Sequence, residues 1–321
     1  MHRRTRPFLI AVLLFANAPA EAWNNTGHMA VARIAYLNLL TDPANNIKAK
    51  VDTLLTHHPD FNTLAKGIPV NDPNRSLIIF MRAATWPDLI KDDSRFVEGD
   101  APSPSDPTPL PGFPTMIRGR SWHFINIPFS SDGTTTKPPK PINALTKIVE
   151  FRNAIGNSAV QPNIQAYDLS WLLHLIGDIH QPLHSVARFT TAHPNGDLGG
   201  NEVKLAGGGN LHSFWDDVVG LSENTGFIIN LAKEISDETK PGDQSEIVIS
   251  NDAATEQTIL AWINESATLA KYYAYTIGKD GIGDPQPTIT TRYQAFSKII
   301  ARHRIALGGY RLAAILNERL N

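Results

Sequence analysis

In two segments whose sequence predicts a helix, a histidine and an aspartate lie four residues apart, and both pairs have the residue types that bind divalent metal ions. The first pair is His174 and Asp178, in a largely apolar segment. The second pair is His212 and Asp216. Residues four apart project from the same face of an α-helix. Burying imidazole and carboxylate among apolar side chains is costly unless they are hydrogen-bonded or bind a metal, so the repeated pattern predicts a metal site.

His184 follows the first pair, and its position predicts that it joins the same site. Pro182 lacks an amide hydrogen and should end or bend the helix just before His184. The chain contains no cysteine, and a site built from imidazole and carboxylate suits zinc well, and manganese or iron less specifically. For any one of these histidines taken alone, a hydrogen-bonded core residue is the alternative interpretation.

Residues 1–22 have the pattern of a secretory signal peptide. An apolar run at residues 8–15 follows three arginines and precedes a small-x-small cleavage site ending at Ala22. Cleavage would free the α-amine of Trp23, itself a possible metal ligand, five residues before His28. We therefore expect a secreted or periplasmic protein without stable membrane association, because the apolar run is too short to span a bilayer.

The charge of the chain argues against attraction of a polyanion by an overall basic field. The formal net charge is −2, and loss of three arginines and one glutamate with residues 1–22 makes it −4. A polyanionic substrate would therefore have to be attracted locally, by bound metal ions.

Apolar spacing of three and four residues dominates the chain and predicts helices. These are expected at residues 27–40, 142–155, 164–181, 211–219, 225–236, 252–276 and 288–318, with short extended pieces at residues 121–127 and 201–205. Two segments, residues 99–119 with six prolines and residues 130–141, are expected to be irregular. The prediction is an all-α, mainly helical fold, in which residues 23–321 form a single domain with long loops around a metal cleft.

The remaining histidines are expected to have structural or surface roles. His180, beside Asp178, is interpreted as a residue that supports the site and does not bind the metal. His57, His58, His193 and His303 are expected at the surface.

An ordered set of motifs along residues 23–321 resembles the zinc-dependent single-strand nuclease family, a branch of the phospholipase C/nuclease superfamily known from fungi, plants and bacteria. The motifs are Trp23 with Gly27-His28, Ala84-Thr85-Trp86-Pro87-Asp88, Trp122-His123-Phe124, His174-x3-Asp178-x5-His184, Gly199-Gly200-Asn201, His212-x3-Asp216 and Gly309-Tyr310-Arg311-Leu312-Ala313.

The resemblance implies three zinc ions per chain. One would be bound by Asp88, His123, His174 and Asp178, and a second by His184, His212 and Asp216. The third would take the amine and carbonyl of Trp23, together with His28 and the second oxygen of Asp178.

The resemblance also implies roles in catalysis and substrate binding. Asp88, Lys91 and Asn201 are expected at the reacting phosphate, Phe124 as a surface on which a base stacks, and Asn126 at the base edge. Stacking tolerates any base but requires an unpaired one. The expected activity is endonucleolytic hydrolysis of single-stranded DNA and RNA to 5′-phosphate products by metal-activated hydroxide, with 3′-nucleotidase activity as a further expectation and no obligate protein partner.

Two alternatives remain open from the sequence. A secreted zinc phospholipase C has a related metal cluster, but usually has glutamate where this chain has Asp216 and lacks the Trp-His-Phe motif. A zinc-binding protein without catalysis would have no reason to keep Lys91, Phe124 and Asn201.

Overall fold

Helices make up most of the computed structural model, which describes residues 23–239, 255–277 and 286–321. This confirms the predicted mainly helical fold. The expected signal peptide, residues 1–22, lies outside the described residues. No described helix is both long enough and apolar enough to cross a membrane.

The α-helices of the described residues are given in chain order. They are α1 (Asn25–Leu37), α2 (Ile47–Leu55), α3 (Phe61–Leu64), α4 (Arg75–Ala83), α5 (Trp86–Leu89), α6 (Ala144–Ala154), α7 (Pro162–Asp178), α8 (Leu211–Asp217), α9 (Thr225–Glu238), α10 (Glu256–Leu269) and α11 (Thr291–Arg319). The helix predicted for residues 252–276 is divided, because α10 is followed by a π-helical turn, Ala270–Ala274.

Side-chain caps explain where several of these helices begin. Asn143 and Asn210 each form a capping box, in which the asparagine side chain accepts from a backbone N–H of the first turn and a hydroxyl of that turn accepts in return. Pro162 occupies the first position of α7, where the missing N–H costs nothing.

Helix α7 is the central element of the core. Every residue from Ala166 to Asp178 is buried, as expected for a helix that is apolar on all sides. Helix α1 packs along α11 and also contacts α4, α7 and α9. A second apolar cluster surrounds Trp215 and Tyr275 and supports α8.

Two short parallel strands join the segments on either side of the central helix. Strand β1 (Ile127–Ser130) pairs with β2 (Val186–Phe189), with Ile127 opposite Val186. The extended piece predicted at residues 121–127 is wrong for its first half, where Arg120–His123 form a 3-10 turn. The piece predicted at residues 201–205 contains only an isolated bridge between Lys204 and Asn210.

The proline-rich segment, residues 99–119, contains no helix or named strand, as predicted. It is nevertheless packed against the core. Phe113, Met116 and Ile117 are buried, and Ile117 forms an isolated parallel bridge with Val97. The segment therefore forms a fixed wall beside the turn that carries His123.

Candidate metal centre

His174 and Asp178 lie on one face in the last two turns of α7, where their side chains meet. His174 Nε2 is 3.3 Å from Asp178 Oδ2, and neither residue is exposed. The helix ends at Asp178, and a 3-10 turn that begins at Pro182 carries His184. The predicted effect of Pro182 is confirmed.

Asp88 and His123 approach His174 from two other elements. Asp88 lies in the short helix α5, and its Oδ1 is 3.5 Å from His174 Nε2. His123 ends the 3-10 turn before β1, and its Nδ1 is 2.9 Å from His174 Nε2 and 3.2 Å from Asp178 Oδ2. One donor atom from each of Asp88, His123 and His174 lies within 4.8 Å of the others.

His28 reaches the same cluster from α1. Its Nε2 is 3.3 Å from Asp178 Oδ1, and its ring stacks on that of His174 with centroids 3.8 Å apart. This close approach depends on Gly177, since a Cβ there would lie 2.8 Å from His28 Nδ1. Asp178 thus presents one carboxylate oxygen to His28 and the other to His123 and His174, which is the arrangement required of a bridging ligand.

Trp23 lies just before the start of α1 and is fully buried. The next residue, Asn24, donates its backbone N–H to Asp216 O over 3.4 Å. The N-terminal residue of the expected mature chain therefore lies near the segment that carries Asp216. Ligation by the amine of Trp23 stays a prediction.

His184, His212 and Asp216 form a further group of donors. The Nε2 atoms of His184 and His212 are 2.9 Å apart, and His212 Nε2 is 3.7 Å from Asp216 Oδ2. The other carboxylate oxygen, Asp216 Oδ1, accepts from Gln181 Nε2 over 2.7 Å. Gln181 is fully buried and was missed in the sequence, although a polar residue in the apolar run before Pro182 is a usable signal.

Backbone carbonyls fix the orientation of three rings. The Nδ1 atoms of His174, His184 and His212 donate to Ala84 O, His123 O and Gly199 O over 2.7–2.8 Å. Because a carbonyl oxygen only accepts, Nδ1 carries the proton and Nε2 of each neutral ring keeps its lone pair. Ligands to a metal are commonly oriented in this way.

The donor set fits a bound cation. In the His184–His212 pair, two nitrogen lone pairs face each other at 2.9 Å, an arrangement that a shared proton or a metal ion would stabilise. Neither ring nitrogen of His28 makes a hydrogen bond, although both are buried. The side chains of these donor groups are imidazole or carboxylate, with no thiolate in the chain, which is the composition of catalytic zinc sites.

Burial of the cluster disfavours the alternative in which protonated histidines, and not a metal ion, neutralise the carboxylates. The pKa values of His28, His123, His174 and His184 are all held well below the usual range, chiefly because burial disfavours the imidazolium. Burial also raises the pKa values of Asp178 and Asp216 well above theirs. A cation would stabilise both carboxylates.

A cleft with a cavity volume of about 320 Å³ opens beside these donors. Its lining includes His123, His184 and His212 together with four of the five residues predicted for catalysis or substrate binding, which are Lys91, Phe124, Asn126 and Asn201; the fifth, Asp88, is not in the lining. Phe124 and Asn126 are partly exposed. Lys91 is buried, and its Nζ is 2.5 Å from Asp88 Oδ1. Asn201 Nδ2 donates to Leu198 O over 2.7 Å.

Six further residues line the cleft that were not selected as site residues from the sequence. They are Arg120, Leu183, Leu198, Glu202, Lys204 and Asn210. Leu198 is the one non-glycine residue with positive φ (53°) in the described part of the chain. Its backbone conformation could not be read from residue type, whereas basic residues beside the Trp-His-Phe and Gly-Gly-Asn motifs were a visible signal.

The predictions for the other histidines are met in part. His180 is buried, with Nδ1 2.7 Å from Ile176 O and Nε2 3.0 Å from an Arg311 nitrogen, so it takes part in packing between α7 and α11. His58 is only 3% exposed, and its predicted surface position is wrong. Its Nδ1 accepts from Asp60 N over 3.1 Å, and its ring packs edge-on against Trp86.

Comparison with known proteins places this arrangement in a family. A family model described as S1/P1 Nuclease matches residues 23–321. The chain is 32% identical to Endonuclease 3 of Arabidopsis thaliana over 162 residues, covering 47% of this chain and 50% of that protein. It is 30% identical to Nuclease S1 of Aspergillus oryzae over 165 residues, covering 46% and 53%. These matches therefore span about half the length of both relatives.

Proposed function

The chain belongs to the S1/P1 nuclease family, and on that basis we propose that it is a zinc-dependent phosphodiesterase that cleaves single-stranded DNA and RNA. The name of the family agrees with the resemblance found in the sequence. The observation that carries the proposal is the position of the metal-donor cluster, which lies at a cleft also lined by Phe124 and Asn201.

The proposed metal ligands are those implied by the sequence. One ion would be held by Asp88, His123, His174 and Asp178, a second by His184, His212 and Asp216, and a third by Trp23, His28 and Asp178. Bound zinc would supply Lewis-acid chemistry, activating water as the nucleophile and stabilising charge on the phosphate.

The side chains of the cleft would orient the substrate. Asn201 would donate from Nδ2 to a phosphate oxygen in place of Leu198 O. Lys91, which contacts Asp88, would place its positive charge beside the same phosphate. Phe124 would stack against a base, and an aromatic ring can do so only when the base is unpaired. Asn126, on the same wall, would contact the base edge.

The finer features of the activity are proposed in the same way. Products would carry 5′-phosphates, 3′-nucleotides would be further substrates, and residues 1–22 would direct secretion or periplasmic export. Residues 23–321 would act as one catalytic domain. Single-stranded nucleic acids and nucleotides are the expected partners.

The two alternatives are weaker on specific grounds. A phospholipase C with a related metal cluster usually has glutamate at the position of Asp216 and lacks the Trp-His-Phe motif to which Phe124 belongs. A zinc-storage protein has no use for Asn201 there.

One set of assays distinguishes the three functions. Purified protein is tested with zinc on single-stranded DNA, RNA, duplex DNA and phosphatidylcholine vesicles, with and without a chelator. The proposal expects cleavage of the two single-stranded substrates, much slower cleavage of the duplex, loss of activity with chelator and no lipid hydrolysis. Phosphocholine release would favour the phospholipase, and tight zinc binding without any hydrolysis would favour storage.

A further inference from the structure

Two basic residues line the cleft in addition to Lys91. They are Arg120, in the 3-10 turn that carries His123, and Lys204, in the loop after Asn201. We call them the flanking cations. Because the chain has a net charge of −2, local cations must account for attraction of a nucleic acid beyond that exerted by bound metal.

Lys204 lies directly beside the proposed phosphate-binding asparagine. Its Nζ donates to the backbone carbonyl of Asn201 over 3.0 Å. An isolated bridge between Lys204 and Asn210 fixes the backbone at this position. The side chain is exposed and no carboxylate is within ion-pair distance in the described residues, although Glu202, also exposed, lines the same cleft.

Arg120 has an ion-pair partner, Glu98, but a second arginine shares that partner, so the three side chains together carry an excess positive charge. Arg120 Nε is 2.8 Å from Glu98 Oε2, but Arg118 Nη1 pairs with the same carboxylate over 2.6 Å. Two guanidinium groups thus share one carboxylate. Arg120 Nη2 also donates to Glu98 Oε1 over 3.1 Å and to Lys91 O over 3.3 Å, and Nη1 is buried without a hydrogen-bond partner.

Lys91 differs from both flanking cations. It is 5% exposed, and its ammonium contacts Asp88, a proposed metal ligand. Its charge is therefore held beside the reacting phosphate and not beside phosphates farther along the cleft.

We propose that Arg120 and Lys204 bind the phosphates that flank the cleaved one, so that the cleft recognises a polynucleotide strand in preference to a dinucleotide. The inference rests on the proposed function and specifies its substrate class. The dinucleotide meant here is a dinucleoside monophosphate, which carries only the phosphate that is cleaved, whereas an oligonucleotide also offers phosphates to the flanking cations. The contacts are with the backbone and therefore carry no base preference.

The test compares kcat/KM for a single-stranded decanucleotide and a dinucleotide over a range of salt concentrations. The variants are Lys204→Ala and Arg120→Gln, with Lys66→Ala as control because Lys66 is exposed and lies outside the cleft lining. We expect each cleft variant to lose about three- to fivefold on the decanucleotide at low salt. The slope of log kcat/KM against log salt should become shallower by about 0.7 per removed contact.

Cleavage of the dinucleotide distinguishes a failure of this inference from a failure of the proposed function. Both cleft variants should cleave it within twofold of the unsubstituted protein, and Lys66→Ala should be unchanged on both substrates. Equal losses on the two substrates would overturn the inference, because Arg120 or Lys204 would then act through Lys91 or Asn201. No effect on the decanucleotide would also overturn it. Failure of the unsubstituted protein to cleave either substrate would instead contradict the proposed function.

Discussion

Asp178 is the residue on which the cluster depends most. Its two carboxylate oxygens face histidines from three different elements, with Oδ1 3.3 Å from His28 and Oδ2 3.2 Å from His123. An amide in its place would offer one weaker oxygen and no negative charge to neighbouring cations.

Asp178→Asn should therefore lose zinc together with activity. Zinc per chain is measured by elemental analysis after dialysis, alongside turnover of single-stranded DNA. Asp168→Asn is the matched control, since Asp168 is a buried aspartate of the same helix outside the donor groups, and burial raises its pKa to about 8, so its neutral form predominates at pH 7. Full zinc retention by Asp178→Asn would show that Asp178 is not a bridging ligand.

Phe124 tests recognition separately from metal binding. It lines the cleft but offers no donor atom. Phe124→Ala should keep the zinc content and weaken oligonucleotide binding by about 1–3 kcal/mol, the stacking contribution of one base. The measurements are KM for short oligonucleotides and zinc per chain. Loss of zinc, or unchanged oligonucleotide kinetics, would mean that Phe124 is an ordinary packing residue.

His58 gives the fold a pH dependence that is separate from the site. Burial lowers its pKa from 6.5 to about 4, so between these values the unfolded chain binds more protons than the folded one. The free energy of unfolding should therefore fall as the pH falls from 6.5 to about 4, with a loss of about 3 kcal/mol from this group.

Urea unfolding at pH 7 and pH 4 measures this contribution, with His58→Gln as the reference because it removes the titrating group. The stability of the unsubstituted protein should fall relative to that of His58→Gln as the pH is lowered. Parallel losses in the two proteins would show that His58 is protonated in the folded state at pH 4 without cost.

The loop from Gly196 to Asn201 has an unusual number of residues with positive φ. It reaches the site twice, through Gly199 O, which orients His212, and through Asn201, which lines the cleft. Gly196, Leu198, Gly199 and Gly200 all have positive φ. A Cβ on Gly199 would lie 2.4 Å from Leu183 O, which explains glycine at the residue whose carbonyl orients His212. Such strain persists only where the surroundings enforce it.

Asp197 supplies that enforcement. It is fully buried, and its Oδ1 accepts from Arg188 N and from Tyr275 Oη, both over 3.0 Å, while Oδ2 is 3.3 Å from Arg188 Nε. The loop that presents Asn201 and Gly199 O is thus attached to β2 through this carboxylate and through the backbone N–H of Asp197, which donates to Arg188 O over 3.0 Å.

Asp197→Asn should lower kcat and the occupancy of the zinc bound by His184, His212 and Asp216. It should also destabilise the fold by about 1–3 kcal/mol, because a neutral amide replaces the buried carboxylate that accepts from Arg188 N and Tyr275 Oη. Tyr275→Phe removes a single hydrogen bond and should cost about 1 kcal/mol. A double-mutant cycle on kcat with Asn201→Ala separates positioning from general destabilisation. Additive effects in that cycle would show that Asp197 does not act through Asn201.

The sequence predicted those elements whose apolar spacing is long and regular. Helices α1, α6, α7, α9 and α11 lie close to their predicted ranges. The seven-residue α8 does so for another reason, since Asn210 marks its start as an N-cap and His212 and Asp216 mark one face. Helices α2 and α4 and strand β2 were not predicted, because each is only four to nine residues long and too short for its periodicity to be distinctive. The parallel pairing of β1 with β2 is a tertiary feature that joins segments distant in the chain, so no local pattern encodes it.

Some site residues could be predicted from the sequence, and others could not. His174 and Asp178 could be placed on one face because four residues span about one helical turn. The approach of His28 depends on packing of α1 against Gly177, which no local pattern encodes. Gln181 contacts Asp216 through a buried hydrogen bond, and its place in the apolar run before Pro182 was a usable signal. Asp197 bonds to Arg188 and Tyr275, and an isolated aspartate carries no sequence signal for such a role.

At the scale of the whole molecule, the donor groups are held by segments distant in the chain. Helix α1 brings His28 against α7, and Asn24 connects its start to the end of α8 through hydrogen bonds to Asp217 Oδ1 and Gly220 O over 2.9 and 2.8 Å. Metal binding across these elements would favour the folded state by mass action, since the unfolded chain does not bring the donors together. Zinc removal should accordingly lower Tm, which a thermal melt with and without chelator measures.

The beginning of the mature chain is the last part of this assembly. If Trp23 contributes its α-amine, one residue before it converts that amine into an amide nitrogen, a poor metal donor. Protein beginning at Ala22 should then bind about one zinc ion fewer than protein beginning at Trp23, and its turnover should fall sharply, while the four ligands on α5, α7 and the His123 turn are unaffected. Elemental analysis and single-strand DNA turnover of the two proteins check this. A third protein, which begins at Trp23 and carries His28→Ala, shows the zinc content and turnover expected when the third site is lost. If the Ala22 protein matched the Trp23 protein in zinc and turnover, the N-terminal amine would have no part in the metal centre.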